Sequence, residues 1–113
     1  MVARNQLLQA PPYAVEHACK RLGANLRTAR VRRNLAIEEV AAKIGTGPRA
    51  VMDAEKGKTT TGIAVYAALL WSYDLLSTFE ALADPLQDEE GLNLAMSRER
   101  VRARKRTELD NDF

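Results

Sequence analysis

One cysteine and one histidine are all that this 113-residue chain offers for cross-linking or ligation. A lone Cys19 cannot close an internal disulfide, and no second Cys or His cluster supplies metal-ligand spacing. Cys19 therefore reads as a small apolar residue, and no cofactor is expected. His17 has no neighbouring nucleophile, acid pair or Gly-rich phosphate loop, so it reads as a surface helix residue and the chain is not expected to be an enzyme. Long apolar runs are also missing. The longest, Ile63 to Trp71, falls far short of the roughly 20 residues that a bilayer demands, and Glu16 and Lys20 interrupt the N-terminal segment before a signal-peptide core can form. No membrane partner is expected, and the cytoplasm is the expected location.

Charge of one sign is lacking in two stretches. No acid lies between Glu16 and Glu38, an interval that holds Lys20, Arg21, Arg27, Arg30, Arg32 and Arg33. No Lys or Arg lies between Lys58 and Arg98, an interval that holds Asp74, Glu80, Asp84, Asp88, Glu89 and Glu90. The net charge of +2 hides this segregation, which suits one surface to phosphate and another to a basic partner. The 46% hydrophobic content is ordinary for a folded core and argues against disorder of the whole chain.

Helical periodicity runs along most of the chain. Pro11 and Pro12 end an irregular N-terminal arm, residues 1–12. From Tyr13 the apolar positions Val15, Ala18, Cys19, Leu22, Leu26 and Ala29 recur at three- and four-residue steps. Gly23 sits in that helix at a cost of roughly 1 kcal/mol relative to Ala, which leaves a break there open. Asn34 suits a left-handed C-terminal cap. A second helix spans Leu35 to Ile44 through Ile37, Val40 and Ala41, and Gly45-Thr46-Gly47-Pro48 then turns, with Pro48 as the first residue of a third helix ending near Glu55 and Gly57. After the polar Thr59-Thr60-Thr61-Gly62 come an apolar fourth helix, Ile63 to about Tyr73, and a short fifth, Leu75 to Ala83. Residues 84–96 read as an acidic linker with weak helical character from Gly91 to Met96. Residues 97–113 read as a charged, flexible tail.

The stretch LRTARVRRNLAIEEVAAKIGTGPRAVMDAEKGK resembles the Cro/repressor (XRE) family of helix-turn-helix proteins, over roughly Gly23 to Leu82. Leu35, Glu39, Val40, Ala41, Ile44, Gly45, Val51, Glu55 and Gly57 carry the likeness. The spacing has a physical reason: a small Ala41 lets two helices cross closely, Gly45 permits the turn between them, and Ile44 with Val51 fills the crossing. The resemblance implies an all-α, five-helix Cro/repressor-type domain over residues 13–83 that presents its third helix to a DNA major groove.

By family position, base reading falls to Gly47, Pro48, Arg49 and Asp53. Arg49 can bind guanine through two bonds, and Asp53 can accept from a cytosine amine or simply be solvated. Lys56, Lys58, Thr59, Thr60 and Thr61 match the family's backbone-contacting segment. The resemblance also implies an Arg30–Glu55 ion pair, which either orients Arg30 towards phosphate or locks two helices together. Ala36 replaces the family's usual Ser or Thr cap, Ile37 replaces a polar DNA-touching residue, and Pro48 offers no donor; each departure weakens the expected DNA contact.

AVYAALLWSYDLLSTFEALADPLQDEEGLNLA, followed by a basic stretch, resembles HipB-like antitoxins paired with HipA-type Ser/Thr kinases. Trp71 and Tyr73 then become candidates for a dimer or partner surface, with burial in the core as the alternative for Trp71. Arg98, Arg100, Arg102, Arg104, Lys105 and Arg106 suit non-specific DNA binding, a partner, or solubility. The expectation is a homodimeric repressor of its own operon, the antitoxin of a type II pair, bound to operator DNA and to a HipA-like kinase toxin. The alternative is a degraded helix-turn-helix serving as a dimeric scaffold with little DNA affinity.

Overall fold

Four helices of the first eighty residues end where a residue just beyond them turns left-handed. The computed structural model describes residues 5–111, and these hold seven α-helices, one 3-10 turn and no strand. α1 is Gln6–Gln9, α2 Tyr13–Arg32, α3 Ile37–Ile44, α4 Pro48–Glu55, α5 Ile63–Ser72, α6 Leu76–Glu80 and α7 Glu89–Asn111. The chain divides into two compact units, one ending at Phe79 and one beginning at Glu80. Among the described residues no helix is long and apolar enough to cross a membrane.

In the first unit, α2, α3, α4 and α5 close by one device. Asn34 (φ 54°), Gly45 (φ 83°), Gly57 (φ 70°) and Asp74 (φ 60°) take the left-handed conformation. The next amide then reaches back to a carbonyl in the last turn: Leu35 to Arg30 at 3.3 Å, Thr46 to Ala41 at 2.9 Å, Lys58 to Asp53 at 3.1 Å and Leu75 to Leu70 at 2.8 Å. Carbonyls that a helix end leaves orphaned are satisfied in this way.

At their starts the helices are less uniformly capped. Ala36 has no side chain that can accept, but Glu39 Oε1 accepts from the Ala36 amide at 3.2 Å, so half of a capping box survives. Pro48 opens α4 after Gly47, where its missing N–H would have had no partner.

The break left open at Gly23 does not occur; α2 runs unbroken from Tyr13 to Arg32. Gly23 is buried, and a Cβ on it would lie 2.6 Å from the Glu55 carbonyl oxygen and 2.7 Å from that of Ala54. A Cβ on Gly57 would lie 2.5 Å from the Cys19 carbonyl oxygen. Two residues without side chains thus let α2 lie directly against the end of α4. Gly23 is there for close approach, not for a kink.

Leu26 and Ala29 from α2, Val40 and Ala41 from α3, Val51 and Ala54 from α4, and Leu69, Leu70 and Tyr73 at the end of α5 form the buried core. Full burial of side chains such as Leu26 or Leu69 contributes about 1.5–3 kcal/mol each. Leu22, Leu35, Ile37 and Ile44 pack around it.

Three further expectations are corrected. The N-terminal arm contains a helical turn, α1, because Asn5 Oδ1 accepts from the Leu7 amide at 3.0 Å; residues 1–4 lie outside the described residues. The fifth helix is shorter than Leu75 to Ala83, since Ala83 turns left-handed (φ 57°) and Asp84 caps a 3-10 turn at Pro85–Gln87. Most of the expected linker and flexible tail, from Glu89 to Asn111, is one helix, α7, of 23 residues. Asp88 Oδ1 accepts from the Gly91 amide at 3.0 Å to start it, Glu89 and Glu90 sit where the helix dipole favours acids, and the Arg, Lys, Glu, Ala and Leu that follow are strong helix formers. Residues 112–113 lie outside the described residues.

Candidate functional site

The front of α4 and the loop after it gather the polar residues singled out from the sequence. α4 is held from behind: Val51 and Ala54 are fully buried, and Arg30 grips its last turn. Arg30 Nε donates to Glu55 Oε2 at 2.7 Å, Nη2 donates to Glu55 Oε1 at 3.0 Å, and Nη1 donates to the Leu35 carbonyl at 2.9 Å. With 12% and 7% of the two side chains exposed, the fork joins α2, the α3 approach and α4. The bidentate hydrogen bond to Glu55 holds the guanidinium pKa above its ordinary value, against the effect of burial. Of the two roles open for Arg30, the geometry is that of a lock; three donors committed inside the protein leave little of it for phosphate.

Gly47 and Pro48 are exposed at the start of α4, where Pro48 presents only a ring and a carbonyl. Arg49 projects outward with 77% of its side chain exposed. One turn on, Asp53 faces it: Arg49 Nε is 3.4 Å from Asp53 Oδ1. Lys58 Nζ approaches the same oxygen at 3.2 Å. That oxygen is shut off from solvent yet makes no aligned hydrogen bond, so both contacts are charge pairs rather than directed bonds. Asp53 is thus more than a solvated helix residue; its Oδ1 is shared by two cations. The closure of α4 at Gly57 explains the geometry, because the Lys58 amide bonds to the Asp53 carbonyl at 3.1 Å and folds Lys58 back over its partner.

Lys56, Thr59 and Thr60 continue the surface beyond Lys58. They line one side of a cleft of about 410 Å³ whose other side includes Leu8, Gln9 and Lys20, the last paired with Glu16 at 3.0 Å. Sequence reasoning missed Gln9 and Lys20 here, since only packing of the N-terminal segment brings them beside the loop. Thr61 stands apart from its neighbours: its hydroxyl is buried beside Tyr66, which removes it from the exposed set. Tyr66 donates from its hydroxyl to the Lys58 carbonyl at 3.2 Å and braces the same loop; burial raises its pKa.

Trp71 and Tyr73 are not brought together on one surface. Trp71 is 55% exposed, with Lys43 Nζ 5.6 Å from its ring centroid. It lies two residues from buried Leu69, about 200° round α5, and so faces away from the core. Tyr73 is 1% exposed and belongs to the core, which corrects its candidacy for a partner surface. Its ring sits under Arg33, 5.5 Å from the guanidinium carbon, and Arg33 Nη2 donates to its carbonyl at 3.0 Å. The Tyr73 hydroxyl is buried without a partner; burial, reinforced by Glu55 and opposed by Arg30 and Arg33, raises its pKa.

The arrangement offers an exposed guanidinium fork flanked by lysines and hydroxyls, anchored on a rigid helix, which suits planar or phosphate acceptors. Compared with known proteins, the chain is matched by no family model, no curated protein and no solved structure.

Proposed function

We propose that the chain is a DNA-binding transcriptional repressor in which α3 and α4 act as a helix-turn-helix and α4 enters the major groove. One observation carries the reading: Arg49 stands exposed on the first turn of a helix whose opposite side is buried, beside Lys56, Lys58, Thr59 and Thr60 on the following loop. In this reading Arg49 reads a guanine edge, and the lysines and threonines hold phosphates without regard to sequence. The chain acts by binding, with no catalysis, as a cytoplasmic homodimer.

Resemblance of the segment from Ala64 to Ala95 to HipB-like proteins supports a narrower proposal. The chain is the antitoxin of a type II pair, represses its own operon and holds a HipA-like kinase in a complex. Exposed Trp71 favours a second reading as a dimeric interaction scaffold, and Ile37, half-buried against the core where the family places a DNA-touching polar residue, favours it too.

A mobility-shift titration separates the two. Preference for the chain's own promoter over scrambled duplex at physiological salt is expected, and equal affinity for both would replace the repressor with the scaffold. Arg49→Ala should lose about 1–3 kcal/mol on the preferred site and little on random duplex, whereas Lys58→Ala should weaken both.

A further inference from the structure

Asp53 faces the proposed DNA surface, where a carboxylate repels phosphate, yet it lies between two cations, Arg49 and Lys58. Its contacts give it a use. Arg49 approaches Asp53 Oδ1 through Nε, at 3.4 Å, so the pair is made by the inner nitrogen of the guanidinium rather than by its two terminal nitrogens. Those terminal nitrogens make the two parallel bonds to guanine O6 and N7. Lys58 approaches the same oxygen at 3.2 Å, so this cation of the loop is partly neutralised before any ligand arrives.

We infer that Asp53 is a positioning residue that sets sequence discrimination: its charge keeps the Arg49 guanidinium over the front of α4, within reach of a guanine edge, and, by pairing with Lys58, lowers affinity for phosphate of any sequence. The inference rests on the DNA-binding reading and goes beyond its base-contact list, since Asp53 acts through its neighbours and touches no base. Two different costs make the discrimination. A guanine edge takes only the free end of Arg49 and leaves the Asp53 contact intact. A phosphate draws Arg49 and Lys58 away from Asp53, and each such contact must overcome a pair already formed as well as the nearby negative charge.

The test uses the full chain, a random-sequence duplex and the best duplex selected from a random pool by the unaltered protein. Asp53→Asn keeps the side chain's size and removes its charge. It should bind random duplex about 3- to 10-fold more tightly, with a salt slope steeper by up to about one unit, while affinity for the selected duplex gains less or falls. Selected-over-random preference should therefore drop about 3- to 10-fold. In a Lys58→Gln background the gain on random duplex should shrink, because the neutralised partner is gone; a merely structural role for Asp53 would not produce that coupling. Thermal melting of each variant reports folding. An unchanged preference in folded Asp53→Asn, with the unaltered protein still selective, overturns the inference alone. Failure of the unaltered protein to prefer any duplex overturns the DNA-binding reading and the inference together.

Discussion

A Cβ on Gly23 would meet the Glu55 carbonyl oxygen at 2.6 Å and the Gly57 amide nitrogen at 2.7 Å, and backbone atoms cannot swing aside as a flexible side chain can. Helix propensity alone predicts that Gly23→Ala stabilises by roughly 1 kcal/mol. Overpacking predicts the reverse, a loss of about 1–3 kcal/mol, and urea unfolding of the variant should show the loss. Tyr73 gives a second test at the same scale. A phenol whose folded pKa lies above its unfolded value of 10.0 keeps its proton longer in the native state. Its contribution is whole below that pH and is lost as pH rises from the unfolded pKa through the folded one. Stability should therefore fall above about pH 10, and Tyr73→Phe should flatten the fall. At neutral pH the same change removes a buried hydroxyl that has no partner, so it should be neutral or stabilising. A clear loss at pH 7 would mean that the hydroxyl is paired after all.

Among the elements, α7 departs most from its sequence reading. Its charge density resembles that of a solvated tail, yet a chain of good helix formers with a side-chain start at Asp88 needs no packed face to be helical. Helical spacing puts Arg98, Arg102 and Lys105 on one side of it, a basic strip that the reading as a flexible tail did not contain. Cutting the chain after Met96 should leave the melting transition of the first unit nearly unchanged, because every buried core residue lies at or before Tyr73. The same cut should lower the steepness with which duplex affinity falls as salt rises, by close to one unit per lost phosphate contact. A weakened kinase complex with an unaltered salt slope would assign the strip to the protein partner.

For the whole molecule, the segregated charge and the exposed face of α5 bear on assembly. Ile63 is 71% exposed and Trp71 55%, on a helix apolar all round. As the sole tryptophan, Trp71 is its own reporter. If the proposed dimer forms through α5, its emission should shift to the blue as concentration rises, in step with sedimentation. Dimerisation without that shift places the interface elsewhere. On DNA, the dimer should protect two half-sites about one helical turn, ~34–36 Å, apart.

Period and end signals were enough to place α4 at Pro48–Glu55 and to mark Asn34, Gly45 and Gly57 as turning points, because each rests on a few adjacent residues and on backbone sterics. Arg49 was legible as a candidate for the same reason: the first turn of a helix that starts at Pro48 must expose something, and an arginine stays in water at small cost. Only the packed structure decided what depends on residues far apart in the chain. It made Gly23 a contact point, since that requires the end of α4 to lie across α2. It put Tyr73 inside and Trp71 outside, since the covered side of α5 is whichever one α3 and α4 meet. It shared Asp53 between Arg49 and Lys58: the first pairing is a four-residue helical step, but the second exists only because Gly57 turns the chain back on itself.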